Sequence, residues 1–161
     1  MTSLPLAIFF FIAAYAIGSF NAGFYLVRWI HGEDIRLQFS GSTGARNAGR
    51  RLGKAGFLAV FALDAAKGVV IILLAHSAGI AQNLLPWVAP LVVAGHIWPP
   101  QLKFKGGKGV ATSIGSLCAL LAFTKTAVSI SQVTAIMITF GLVLLAHRSH
   151  LKHGRFKWRS P

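Results

Sequence analysis

The chain has 161 residues, 55% of them apolar, and 16 Lys and Arg against three acidic residues give a formal net charge of +13. Mean hydropathy is +0.65, and the basic residues alternate with long apolar runs, the pattern of a membrane protein with charged loops and not of a nucleic-acid binder. Cys118 is the single cysteine, so no intrachain disulfide can form, and its place inside an apolar run reads as a small buried hydrophobe.

The first apolar run covers residues 5–29. Residues 14–16 read Ala-Tyr-Ala, like a cleavage site, but no Lys or Arg precedes Arg28 and the run continues past them. An uncleaved transmembrane helix is therefore expected. Spanning a hydrocarbon core of ~30 Å takes ~20 apolar residues in a helix, and runs 55–75 and 127–146 also meet that length. Runs 84–98, ending at Pro99-Pro100, and 110–123, containing Ser113 and Ser116, are shorter and predict tilted, re-entrant or half-spanning helices. Such segments survive in lipid only under the cover of other helices.

All Lys and Arg except Lys67 and Lys125 fall in three places: 28–54, 103–108 and the tail after 147. The positive-inside rule then gives an all-α integral membrane protein of about five helices, N-terminus outside and C-terminus cytoplasmic. It reads as one domain over 1–161, with cytoplasmic motif segments 34–54, 101–112 and 147–161. Five spans without an internal repeat, with charge at one face and not along a pore, argue against a transporter.

The first segment runs Asp34-Ile-Arg-Leu-Gln-Phe-Ser-Gly-Ser-Thr-Gly-Ala-Arg-Asn-Ala-Gly-Arg50. Glycines allow backbone N–H groups to close on an anion and arginines supply bidentate donors. An ordinary flexible basic loop is the other reading. The second, Lys103-Phe-Lys-Gly-Gly-Lys-Gly-Val-Ala-Thr112, lacks the spacing and preceding strand of a nucleotide-binding P-loop. It nevertheless joins glycines and lysines to the start of a helix, where the dipole favours an anion. Contact with anionic lipid heads is the competing explanation. The third is His147-Arg148-Ser149-His150 with Lys152 and His153. These residues suit the capping of a helix C-terminus. No Cys or carboxylate joins the tail histidines, so neither a metal site nor a cofactor is expected. Asp64 and Lys67, at i, i+3 inside the second span, share a face and read as a neutralised pair, with Lys67 also a candidate wall of a site. His96 is open to the same two readings.

Taken together, these segments resemble the acyl-phosphate-dependent glycerol-3-phosphate acyltransferases (PlsY type). Gly95-His-Ile-Trp-Pro-Pro-Gln-Leu-Lys-Phe-Lys-Gly-Gly-Lys-Gly-Val-Ala-Thr112 matches that family's most specific motif almost throughout. Ser40-Gly-Ser-Thr-Gly-Ala-Arg-Asn-Ala-Gly-Arg50 with Leu52-Gly-Lys54 matches its first, and Gly18-Ser19, Asp64 and Lys67-Gly68 fall in register. The resemblance covers residues 15–116.

It implies transfer of an acyl chain from acyl-phosphate to the 1-hydroxyl of glycerol-3-phosphate, giving lysophosphatidic acid, at the cytoplasmic face of a bacterial cell membrane. It also implies a soluble acyl-phosphate-making enzyme as a partner and no nucleic acid. By the same resemblance, His147, Ser40 and Lys108 are the catalytic candidates. Ser42, Asn47, Arg50, Lys105, Gly106, Gly107, Gly109 and His150 are the phosphate-binding ones, with Asp64, Lys67, His96 and Ser129 in support.

The chain departs from the family where the third motif reads roughly His-Arg-x-Asn with a Glu beyond. Here His150 replaces the Asn, and no Glu or Asp follows Asp64. The stretch before that motif is shortened, bringing Val128-Ser129 close behind the fourth run, and Ser42 stands where Asn is frequent. A degenerate member that binds phosphate or phospholipid heads without turnover, as a partner or regulator, is the alternative.

The charge distribution makes a direct prediction. In a Cys118→Ser background on intact inner-membrane vesicles of known sidedness, an impermeant thiol reagent should reach Gln82→Cys only from outside and Arg155→Cys only from the cytoplasmic side. Labelling in the opposite sense overturns the orientation.

Overall fold

The computed structural model describes residues 3–123 and 130–153, with side chains described through Arg148. Among them are six α-helices: α1 (Leu4–Ser19), α2 (Ala22–His31), α3 (Ala45–Ser77), α4 (Val88–Ile97), α5 (Val110–Phe123) and α6 (Ile130–His153). Three stretches are long and apolar enough to cross a bilayer: Leu4–His31, Ala45–Ser77 and Ile130–Arg148. The two runs expected to be short are so, at 10 residues for α4 and 14 for α5.

α4 lies in the middle of the bundle. Val88, Ala89, Val92, Val93, His96 and Ile97 are all buried on it, so its neighbours cover its ends as a short segment in lipid requires. Two close crossings build this core. A Cβ on Gly18 would strike the Val92 carbonyl and one on Gly95 the Tyr15 carbonyl, so α1 and α4 meet backbone to backbone. Gly68 of α3 and Gly115 of α5 make the same kind of approach, to Thr112 and to Ala65. Small residues at helix crossings are the usual means of tight packing where lipid offers no hydrophobic drive. Cys118, expected to be buried, is exposed on α5, as are large apolar residues of α6 such as Met137, Phe140 and Leu145. These are the side chains that a bilayer would solvate.

Two expectations are corrected. The run 5–29 is not one helix: it stops at Ser19, Phe20 and Asn21 adopt extended backbone, and α2 restarts at Ala22. The break is held from α3. Lys67 Nζ donates to the carbonyls of Gly18 (3.1 Å) and Phe20 (2.7 Å), which α1 leaves unpaired. The Asp64 carboxylate faces the Ala22 amide, the first of α2. Asn21 Nδ2 and Gln101 Nε2 both donate to Ser19 O. Within a bilayer each of these groups would otherwise lack a partner. The i, i+3 pair read as mutual neutralisation does bond to itself, at 3.0 Å. It also closes the two ends of a broken helix.

The second correction concerns 34–54. Residues 45–52 are helical and form the first turns of α3, which kinks at Gly53 (φ 72°, ψ −169°), a backbone that only glycine adopts without strain. A small second core of Ala22, Val27, Ile35, Ala45, Ala48 and Val60 seats these turns against α2.

Lys67→Met should lower stability by about 3–5 kcal/mol, because a buried carboxylate loses its partner. Adding Asp64→Leu should recover only part of this, since the Gly18 and Phe20 carbonyls stay unpaired. Thermal unfolding in detergent measures both, and full recovery in the double variant would reduce the pair to simple neutralisation.

Candidate active site

A cavity of about 410 Å³ opens between the first motif segment, the start of α5 and the end of α6. Ser40, Ser42, Asn47, Arg50, Asp64, His96, Lys108, Gly109 and His147 line it, together with Gly44, Ala45, Arg46, Phe57, Phe61, Val110 and Ala111. The three separated motifs therefore meet. Lys105 is exposed outside this wall and Lys67 lies behind it, reaching it only through Asp64 and His96. Ser129 and the His150 side chain fall outside the described residues.

Charge distribution gives the cavity its character. The chain has three acidic side chains. Glu33 binds Arg51 at 2.7 Å, and hydrogen bonds from Arg51 and Gln38 hold its carboxyl down to about 2. Asp34 binds Arg36 at 2.6 Å, which lowers its pKa, and Asp64 binds Lys67. No side-chain carboxylate remains for Arg46, Arg50 and Lys108. Burial, and then the fields of Arg46 and Arg50, lower the pKa of the Lys108 ammonium.

Backbone donors add to this. α5 begins at Val110, and Ser113 N already donates to Gly109 O at 2.8 Å. The amides of Val110 and Ala111, in the first turn, have no helical acceptor, and both residues line the cavity. A helix N-terminus with lysine and arginine beside it is an arrangement that favours an anion.

Two motif glycines act otherwise than their composition suggests. Gly106 N donates to Ile97 O and Gly107 N to His96 O, both at 3.0 Å, so these amides close the end of α4 and are not offered to a ligand. A Cβ on Gly107 would fall on His96 Nε2. Asn47 is likewise internal. Its Nδ2 donates to the carbonyls of Ser42 (2.9 Å), Ile35 and Gln38 (both 3.2 Å), and its Oδ1 accepts from Ser40 N at 3.2 Å. It thereby shapes the loop that presents Ser40 and Ser42. Arg36 Nη1 donates to Leu102 O (2.7 Å), tying the first motif to the second. Arg46 escaped the sequence reading. Its spacing of four from Arg50 places both on one helix face, a signal that exists only once 45–52 is known to be helical. The Arg50 guanidinium lies over the Phe39 ring, 5.7 Å from its centre.

These features define a class: helical membrane proteins with a cationic, half-enclosed cavity at one end of the bundle. The sequence model of the family described as glycerol-3-phosphate acyltransferase matches residues 8–153, and the chain belongs to that family. It is 44% identical over 110 residues to glycerol-3-phosphate acyltransferase 1 of Desulfitobacterium hafniense, covering 68% of this chain and 54% of that protein. To glycerol-3-phosphate acyltransferase 5 of Dehalococcoides mccartyi it is 38% identical over 152 residues, 90% of this chain and 65% of that one. The chain thus spans about half the length of several curated relatives it matches. The crystal structure of PlsY (YgiH), an integral membrane glycerol 3-phosphate acyltransferase, in its glycerol 3-phosphate form superposes with a TM-score of 0.71. That pair is 30% identical, with 91% of this chain and 90% of the other covered. The lysophosphatidic acid form gives 0.68 at 29% identity, with the same coverage.

The lowered pKa of Lys108 sets a pH dependence. A bound anion is held by the protonated ammonium, so affinity is full at lower pH and falls as pH rises through the Lys108 pKa. Titration calorimetry with sulfate, whose own charge is constant over this range, should show that fall, and Lys108→Arg should remove it because a guanidinium stays protonated. A flat profile in the unaltered protein would place Lys108 away from the anion.

Proposed function

We propose that the chain transfers an acyl chain from acyl-phosphate to the 1-hydroxyl of glycerol-3-phosphate, yielding lysophosphatidic acid for phospholipid biosynthesis. The observation that carries this reading is the cavity's set of three cations, Arg46, Arg50 and Lys108, beside the α5 N-terminus, with Glu33 and Asp34 paired outside the cavity and Asp64 at its wall already bound to Lys67. Both substrates are phosphate anions and repel each other, so bringing them together requires such a surplus.

In the transfer, the ester bond to glycerol O1 forms as the acyl carbon's bond to the phosphate oxygen breaks. The hydroxyl proton ends on the departing phosphate. Charge develops on that phosphate, where Lys108, the arginines and the first α5 amides stabilise it. Acyl-phosphate arrives activated, so alignment of the two substrates accounts for much of the acceleration. Ser40 and His147 line the same cavity and are assigned to the reacting hydroxyl.

A route for the acyl chain adjoins the cavity. An open groove of about 500 Å³ at the Gly53 kink shares Arg46, Arg50 and Phe57 with it and adds Lys54 and Leu58. Phe57 and Leu58 are exposed on α3, so a tail can lie along them in lipid while its phosphate meets the arginines. The site faces the cytoplasm of a bacterial cell membrane in this reading, within reach of a soluble enzyme that makes acyl-phosphate, and needs no cofactor.

The single domain over 1–161 and its three motif segments carry over as part of this proposal. A second reading has its own observation: His150 in place of the family's Asn, and no carboxylate after Asp64. It makes the chain a phosphate- or headgroup-binding member without turnover.

The deciding experiment supplies lipid-reconstituted protein with labelled glycerol-3-phosphate and either acyl-phosphate or acyl-CoA. Lysophosphatidic acid should form from acyl-phosphate alone. Binding of glycerol-3-phosphate without product from either donor would select the second reading.

A further inference from the structure

The surroundings of Lys67 fix the protonation of a neighbouring histidine. The Lys67 Nζ lies 3.1 Å from Gly18 O, 2.7 Å from Phe20 O, 3.0 Å from Asp64 Oδ1 and 2.7 Å from His96 Nδ1. The three oxygens can only accept, and together they use the three N–H bonds of an ammonium. An ammonium has no lone pair, so it cannot accept a proton from His96. Nδ1 must therefore present its own lone pair, sharing one of the ammonium hydrogens. The proton of a neutral imidazole then resides on Nε2.

That nitrogen is the ring atom nearest to the place a Gly107 Cβ would occupy. His96 is only 3% exposed, yet it lines the cavity alongside Lys108 and Gly109. The missing side chain at Gly107 is thus the space into which the ring tip fits.

We infer that His96 is a substrate-binding residue whose Nε2–H donates to an oxygen of the anion held at the α5 N-terminus, and that Lys67 is the positioning residue that sets this tautomer. A neutral donor suits the place. It adds a directional hydrogen bond without adding a fourth charge to Arg46, Arg50 and Lys108, which already sit close together. The inference rests on the anion-binding reading of the cavity. It gives Lys67 two duties, one toward the helix break and one toward the ligand.

The test uses full-length protein labelled with 15N-histidine in detergent, with the His96 signals identified by their loss in His96→Gln. The expected spectrum has an unprotonated Nδ1 and a protonated Nε2, and the Nε2 signal moves as glycerol-3-phosphate is added. Two variants separate the ring nitrogens, since the amide of Gln falls near Nε2 and that of Asn near Nδ1. His96→Gln should keep most of the affinity for glycerol-3-phosphate. His96→Asn should lose about tenfold to a hundredfold, the effect of one hydrogen bond to a charged group. In turnover assays that loss should appear in KM more than in kcat. A proton on Nδ1, or an Nε2 signal indifferent to a ligand that binds, overturns this inference alone; the wild-type spectrum decides it even where His96→Asn fails to fold. Equal affinity of the Asn and Gln variants in folded protein overturns it too. Failure of the unaltered protein to bind glycerol-3-phosphate overturns the anion-binding reading with it.

Discussion

One buried ammonium decides where the polypeptide can stop being helical. The break after Ser19 leaves carbonyls facing the interior of an apolar bundle, and Lys67 supplies donors to those of Gly18 and Phe20. Without it, each unpaired group would carry a full desolvation penalty, and the unbroken helix would be favoured. An unbroken helix would carry Arg28 and His31 onward along the α1 axis. The break instead lets α2 turn and pack on the start of α3, where Val27, Ile35 and Ala48 form the small core beneath the cavity. Thr43 then donates through its hydroxyl to Asn21 at the break itself, so the first motif loop is anchored to the same point.

The same economy of carboxylates organises the loops. Asp34 and Arg36 form a clamp that ends in the Arg36 bond to Leu102 O, and Glu33 draws Arg51 away from the cavity. Two arginines of the first segment are thus consumed as structural members, leaving Arg46 and Arg50 directed to the cavity. With only three acids available, the arrangement sorts the cations into paired scaffold and unpaired site. The unpaired ones remain close because loop and helix geometry holds them there. That held repulsion is what a polyanionic ligand relieves.

What was legible in the sequence followed from length and from local chemistry. The apolar runs located α1, α3, α5 and α6 because lipid solvation needs continuous hydrophobic length, and the shortness of α4 and α5 could be read from Pro99-Pro100 and from the extent of the runs. The motif glycines and cations pointed to an anion site, with a flexible basic loop or lipid-head contact as the other readings, because glycines and cations at a helix start suit an anion. The break at Phe20–Asn21 was hidden, since the residues that hold it, Lys67 and Asp64, belong to a helix far along the chain, and the local Gly18, Ser19 and Asn21 do not by themselves end a helix inside so apolar a run. The helical turns at 45–52 were hidden for the opposite reason. Gly49 within them depresses helix propensity, and tertiary packing of Ala45 and Ala48 on α2 overrides it. The occupation of the Gly106 and Gly107 amides by α4 carbonyls likewise depends on a chain reversal that spacing alone does not specify.

The distribution of acids also limits the chemistry. An acyl transfer from an unactivated donor generally draws on a strong base to raise the nucleophilicity of the hydroxyl. Asp64 is the only side-chain carboxylate at the cavity wall, and it is bound to Lys67 and faces the Ala22 amide. Removing it from those partners would undo the helix break, so it cannot move freely to collect a proton. His96 Nδ1 is occupied by Lys67 in the same way. What remains at the wall is chiefly donors, namely guanidiniums, an ammonium, serine hydroxyls and the α5 amides, with the His147 imidazole beside them. Such a set stabilises a leaving anion far better than it activates a hydroxyl. It therefore suits a reaction whose electrophile arrives already carrying its leaving group as phosphate, and whose departing phosphate can itself accept the proton. In the proposed reaction, the shortage of carboxylates that leaves the site's cations unpaired is matched by a donor that arrives already activated.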